Sequence, residues 1–333
     1  MKKTGWILVG ASTVAREWMV DAIRQQGDAE VLAVVSRDAA RGAAFAEQFG
    51  IAASYTDLAA ALAHPGADAV YISTTNEWHM AQTLQAARAG KHVLCEKPLA
   101  LNLDDARRML DGCAEAGVVL GINHHLRNAA SHGKVRELIR AGEIGQPLYG
   151  RVLHANNLPQ HLRGWRLDAP ESGGVTLDMF VHDVDTLRFL LDSEPRHVTA
   201  CATSGGMTVA GLEEGLMAVI EFDNGTLVQV HDAYNAPHSL SGVEIIGSKG
   251  TIFATGVMTQ RPVGTISLTR DGGSIDIPVE HENLYVRSVR AFQRAMRGEG
   301  QPAATGDDGM RALATALAAQ QASRSHQRVT LAD

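Results

Sequence analysis

The sequence predicts an α/β chain in two parts. A doubly wound parallel sheet comes first, then an α+β domain on a largely antiparallel, open-faced sheet. Three observations carry this. Over residues 1–122, short β-branched runs alternate with alanine-rich helical stretches, the βαβ pattern of a parallel sheet. From residue 123 onward, alternating strands are joined by turn sequences such as Asp223-Asn224-Gly225, which close hairpins. At 333 residues, the chain exceeds what one core supports. The expected domains are 1–122 and 123–333, with the last helix packing back on the first domain.

The elements follow in order. Strands are expected at WILV (6–9), VLAVV (31–35), AVYIS (69–73), HVLC (92–95) and VVLG (118–121). Their continuous apolar character means burial on both faces. Helices are expected over 39–49, 78–89 and 102–115. The second part opens with a helix over 131–141 and a strand over 149–154. A long amphipathic helix is expected over 178–191. Hairpins pair 215–222 with 226–232, 243–246 with 251–254, and 266–269 with 274–277; helices over 284–297 and 308–323 close the chain. Glu221, Gln229 and Asp232 fall among the apolar positions of their strands. That reads as a partly polar outer sheet face and favours a monomer over a homodimer.

Composition excludes several classes. Apolar residues make up 45%, charged residues 20%, and the formal net charge is -7. No basic block is present, which argues against nucleic acid and anionic membrane as partners. No run approaches the ~20 apolar residues of a membrane helix. Lys2-Lys3 before WILVGA only faintly resembles a signal peptide. The apolar run is short, holds Gly10 and meets Arg16-Glu17 at once. Cys95, Cys113 and Cys201 are too widely spaced for a metal motif or a disulfide framework, which suits a reducing cytoplasm.

Gly10-Ala11-Ser12-Thr13-Val14-Ala15 follows the first strand and opens a helix, where helix N-terminal amides hold a pyrophosphate. Ser12 stands where a dinucleotide fingerprint has its second glycine. Either its hydroxyl donates to a phosphate, or the segment is a plain strand–turn–helix with a serine N-cap. After the second strand come Ser36, Arg37 and, one turn on, Arg41. A hydroxyl and two guanidiniums suit a 2′-phosphate, so NADP(H) is favoured over NAD, although Asp38 argues the other way.

Glu96-Lys97-Pro98-Leu99 ends the HVLC strand and poises a lysine to act on a ligand. Asp178 and His182 lie four apart on an expected helix and share one face. A carboxylate can orient an imidazole and raise its proton affinity. On spacing alone, Asp178 capping a helix or pairing with an arginine, and His182 as a core histidine, is the stronger reading. No metal is expected. His124 and His125 are adjacent, and no third ligand stands at recognisable spacing.

These pieces together resemble the Gfo/Idh/MocA oxidoreductases. The resemblance rests on GASTVA (10–15), STTNEWH (73–79) and AGKHVLCEKP (89–98). It extends to Gly173-Gly174 with Leu177-Asp178, His182 and Asp185, and to TGDDG (305–309). The resemblance implies a Rossmann domain and an NADP-dependent oxidoreductase acting on a small sugar. It sets Glu96 and Lys97 beside the nicotinamide with a cis Lys97-Pro98 bond, and has Asp178 and His182 face Lys97 from the second domain. It places Thr74, Thr75, Asn76 and His79 at the loop under the nicotinamide ribose. Asn123, Trp165, Arg166 and Tyr285 match positions lining the cofactor or sugar site. Lys97 would stabilise charge on a carbonyl oxygen as hydride arrives, His182 would supply the proton and Asp178 would orient it. Whether Lys97 or His182 gives the proton stays open. Two departures bear on the sugar pocket: Phe180 stands where the family commonly has glycine, and two glycines stand where three are common. The alternatives are an NAD-linked inositol or sugar dehydrogenase and a non-catalytic NADP- and sugar-sensing regulator.

Overall fold

Six parallel strands form the first sheet. They are β1 (Thr4–Val9), β2 (Ala29–Val35), β3 (Ala53–Tyr55), β4 (Ala67–Ile72), β5 (His92–Cys95) and β6 (Leu120–Ile122). Their order is β3-β2-β1-β4-β5-β6. The computed structural model describes residues 3–331, so Lys2 of the N-terminal basic pair lies outside them. β1 and β4 are almost wholly buried, as continuous apolar runs between two helical layers must be. The half-exposed three-residue β3 carries no such run and was not expected.

By internal contacts, residues 1–125 and 285–310 form one unit, and 126–284 with 311–333 form the other. The segment 285–310 is tied to the first sheet by packing. The Phe292 ring lies 5.5 Å from that of Trp6, and Ile122 N donates to Ala304 O at 3.0 Å. A Cβ on Gly121 would meet the Phe292 ring at 2.9 Å, so glycine there lets the helix Leu284–Met296 close on the sheet.

The second unit is built on nine strands: β7 (Pro147–Ala155), β8 (Pro195–Ser204), β9 (Glu213–Phe222), β10 (Leu227–Ala233), β11 (Ser241–Gly247), β12 (Thr251–Thr255), β13 (Thr265–Arg270), β14 (Gly273–Ile277) and β15 (Val329–Thr330). Their order is β14-β13-β12-β11-β7-β10-β9-β8-β15, antiparallel except where β7 meets β10. Met217, Val219 and Leu227 are exposed on one face; Leu216, Ala218, Val228 and Val230 are buried on the other. Asp232 belongs to the buried set. This corrects its expected place on the outer face: counting by two from Val228 and Val230 points it inward.

The helix expected to be amphipathic over 178–191 is buried nearly all round. Residues Val181 to Arg188, with Leu190 and Leu191, are inside. It begins as a π-helical turn, Thr176–Phe180, and continues as the α-helix Val181–Leu191. Its charges enter the core because they are paired. Asp185 accepts from Arg127 Nε at 2.8 Å, and Arg188 forks onto Glu194 at 2.6 and 2.7 Å. Buried charge is tolerated only with such partners. No helix among the described residues is long and apolar enough to cross a membrane.

Candidate functional site

In the first sheet the strand order reverses between β1 and β4, and an open α/β sheet takes its ligand in the crevice at that point. The loops that follow these two strands touch there. Ser12 Oγ lies 2.7 Å from Ser73 Oγ and accepts from Ala15 N at 3.1 Å. Ser12 therefore caps the helix start while tying it to the loop after β4. Gly10 has φ +115°, and a Cβ there would sit 3.0 Å from the carbonyl carbon and oxygen of Ser73. The chain can thus turn sharply at the end of β1 only with glycine. Ala11, Thr13 and Val14 are half-buried along this turn, and Ala15 is buried. The helix opens through a π-helical turn, Ala15–Met19, a feature frequent at functional sites.

At the end of β2, Ser36 is buried, and Arg41 Nε donates to its hydroxyl at 3.3 Å. Arg37 is exposed, its guanidinium 4.9 Å above the Trp78 ring. Asp38, the residue that spoke for NAD, caps the helix Ala39–Phe49 by accepting from Arg41 N at 3.0 Å. The first unit thus brings Ser36, Arg37 and Arg41 to one strand end and commits the nearby carboxylate to a structural bond. A turn of glycine and a helix start at this crevice fit a dinucleotide.

At the end of β5 the Lys97-Pro98 bond is cis, as the family resemblance implied. Glu96 is anchored on both sides. Tyr71 Oη donates to Glu96 Oε1, and so does Asn123 Nδ2 at 2.6 Å; Ser288 Oγ in turn donates to Asn123 Oδ1 at 2.9 Å. Burial raises the Glu96 carboxyl above its ordinary value, against the lowering effect of these bonds. Asn123 is fully buried, so it serves as a support for Glu96. His79 is also fully buried, with Nδ1 2.9 Å from Pro98 O and Nε2 3.2 Å from Thr74 O. It fastens the lysine's proline to the loop after β4, and burial lowers its pKa. In that loop Thr74 Oγ1 donates to Gln82 at 2.7 Å, Thr75 Oγ1 donates to Glu77 at 2.7 Å, and Asn76 is buried. The Tyr285 ring stacks between Trp18 and His125, 5.5 Å from each, and is buried.

The second unit gathers Trp165, Arg166, Asp178 and one residue the sequence reading passed over, Tyr234. Arg166 Nε donates to Asp178 Oδ2 at 2.8 Å, and Tyr234 Oη donates to the same oxygen at 3.0 Å. The Arg166 guanidinium lies 4.6 Å above the Trp165 ring. The two glycines hold this arrangement. A Cβ on Gly173 would fall within 2.5–2.9 Å of the carbonyls of Trp165, Arg166 and Ala169, and Gly174 N donates to Arg166 O at 2.9 Å. Asp178 sits in the π-helical turn, and His182 is buried one turn on in the α-helix. The turn's i→i+5 bonding sets the relation between them, in place of the α spacing assumed from sequence. Tyr234 had no local marker, since it follows the strand β10 and reaches Asp178 only through the fold.

Comparison with known proteins adds to this geometry. Residues 4–124 match the family described as "Oxidoreductase family, NAD-binding Rossmann fold", and residues 132–253 match the GFO/IDH/MocA C-terminal domain. The 1,5-anhydro-D-fructose reductase of Ensifer adhaerens is 50% identical over 323 residues, 97% of each chain. Myo-inositol 2-dehydrogenase of Thermotoga maritima is 29% identical over 298 residues, 86% of each. The crystal structure of an aldose-aldose oxidoreductase from Caulobacter crescentus complexed with glycerol superposes with a TM-score of 0.91 at 23% identity, over 99% of this chain and 100% of that one; this last likeness shows the fold. With both family domains matched and half of its residues shared with a full-length relative, the chain belongs to the GFO/IDH/MocA family of oxidoreductases.

Proposed function

We propose that this enzyme reduces a keto-sugar with NADPH, converting 1,5-anhydro-D-fructose to 1,5-anhydro-D-mannitol. The observation that carries the substrate is the 50% identity to 1,5-anhydro-D-fructose reductase along 97% of both chains. The preference for NADPH is supported by Ser36, Arg37 and Arg41 at the end of β2, with Asp38 spent on a helix cap.

The nicotinamide, when bound, supplies the hydride to the carbonyl carbon. The chain's own groups handle the charge and the proton. Negative charge builds on the carbonyl oxygen, and the Lys97 ammonium stabilises it, the largest single term expected. His182 provides the proton, its imidazole being suited to acid–base work near neutral pH. Asp178 orients His182, itself fixed by Arg166 and Tyr234. Glu96, held by Tyr71 and Asn123, keeps the lysine's backbone in place.

The test is NADPH oxidation with 1,5-anhydro-D-fructose, run beside other carbonyl sugars and inositols with NADPH, NADP, NADH and NAD. The expected result is a kcat/KM for 1,5-anhydro-D-fructose with NADPH above that of every other pair. Turnover confined to an inositol with NAD would replace this reading with the dehydrogenase alternative. Tight NADP binding with no turnover of any sugar would replace it with a sensor.

A further inference from the structure

We propose that Asp183 and Asp232 share one proton in the core of the second unit, clamped by His154, and that this pair, with one negative charge between its two carboxyl groups, backs the Asp178 carboxylate. The three residues come from three elements. His154 is on β7, Asp232 on β10 and Asp183 on the helix Val181–Leu191. β7 and β10 run side by side with Asp232 in register with His154. His154 Nδ1 lies 2.8 Å from Asp183 Oδ1 and 3.9 Å from Asp232 Oδ1. The three groups offer ligand atoms within 4.8 Å of one another. Both carboxyl side chains are 0% exposed.

Charge counting leads to the proton. Neither Asp232 oxygen has a hydrogen-bond donor among the described residues. Two ionised carboxylates beside at most one imidazolium would leave a net charge closed off from solvent. Such groups take up a proton instead. Once protonated, Asp232 becomes a donor, and Asp183 is the acceptor within its reach. Burial first, and Asp183 second, hold the Asp232 carboxyl well above its usual range.

The groups around Asp232 can be named. Asp183 faces it from the helix and His154 from β7; Asp178 acts on it from the π turn, and Tyr234 from two residues along the chain. Beyond His154, the His132 ring on the helix Ala130–Arg140 is lowered to about 4 by burial and by His154, so it adds no charge at neutral pH. Tyr234 gives its hydroxyl to Asp178, so the chain segment that carries the proton also carries a donor to that carboxylate. A charge appearing on Asp232 would act on Asp178 and, through it, on His182. That consequence rests on the reductase reading; the shared proton does not.

Infrared difference spectra of the full chain against Asp232→Asn, in H2O and D2O, test the proposal. The expected result is a protonated-carboxyl carbonyl band at neutral pH, worth one group, that is lost in Asp232→Asn and in Asp183→Asn. The thermal midpoint of Asp232→Asn should also decline less with rising pH. In the same variant, kcat/KM should hold within a few-fold at neutral pH while its basic limb moves to lower pH, because Asp232 can no longer gain a charge that raises the proton affinity of His182. Unchanged band intensity in both variants overturns the shared proton. A stoichiometric divalent ion in metal analysis of the purified protein, absent from Asp232→Asn, overturns it in favour of a bound cation. A band without reductase activity leaves the pair standing and removes the reductase reading, and activity without the band does the reverse.

Discussion

Replacing Tyr234 by phenylalanine isolates one bond in the second unit. The ring is fully buried, and phenylalanine keeps its volume, so no cavity term enters. The loss is one hydrogen bond of 3.0 Å to Asp178 Oδ2. A bond to a charged partner is worth about 1.5–3 kcal/mol. Arg166 Nε still reaches that oxygen at 2.8 Å, so the carboxylate is not orphaned and the lower end applies. About 1.5 kcal/mol corresponds to roughly tenfold in a rate or equilibrium constant. The tyrosine's own proton is secure, because burial and Asp178 raise its pKa well above the ordinary value. The expectation is that kcat/KM for NADPH-linked sugar reduction falls about tenfold, with NADPH affinity unchanged. Adding Arg166→Gln should cost more than the two single effects together, since Asp178 then loses both fixing groups. Steady-state kinetics on the four proteins supplies the cycle. Wild-type kcat/KM in Tyr234→Phe, or strict additivity in the double variant, would refute the claim that these two groups jointly aim Asp178.

The other expectations concern the first unit. Lys97→Ala should cost on the order of 10²–10³ in kcat while NADPH affinity, read by fluorescence titration, holds. Arg37→Ala combined with Arg41→Ala should weaken NADPH by tenfold or more, at about 1.5 kcal/mol per lost charge-assisted bond, and leave NADH nearly unaffected. Gly10→Ala, with φ +115° and a Cβ 3.0 Å from the Ser73 carbonyl, should lower stability by about 1–3 kcal/mol in denaturant titration and abolish nucleotide binding. For Glu96 the folded pKa lies above the unfolded 4.5, so the native state holds the proton longer. Its stability contribution is greatest at acid pH and falls as pH rises from 4.5 through the folded value, by at most about 1.4 kcal/mol per pH unit. Glu96→Gln should flatten that decline in a plot of unfolding midpoint against pH.

The first sheet was legible because each of its main strands is a continuous apolar run, and β5 was read to the residue at both ends. β3 was missed because three half-exposed residues carry no period. The hairpins were legible in their turns, Asp223-Asn224-Gly225 above all, whose glycine has φ +84°. The Glu96-Lys97-Pro98 motif was visible as a motif, but its supports were not. Tyr71 and Ser288 reach Glu96 and Asn123 from distant parts of the chain. Period-two counting would have turned Asp232 inward had it started from Val228 and Val230. A carboxylate inside a sheet face was instead taken as a mark of solvent, because burying it needs partners that sequence does not display. The π-helical turn at Asp178 likewise leaves no local signal, since it adds one residue to a helix without altering its composition.

The return of residues 285–310 to the first unit has a consequence for how the protein is made. The ribosome releases β1 to β6 early, yet the helix that covers Trp6 and Gly121 is encoded about 160 residues later. At ~5–20 residues per second, that is a wait of roughly ten to thirty seconds. During it the nascent nucleotide sheet keeps an apolar flank uncovered while residues 126–284 of the second unit are synthesised. Chaperone dependence during translation, and failure of any fragment ending near residue 125 to stay soluble, should therefore track this late-arriving helix and not the sheet itself.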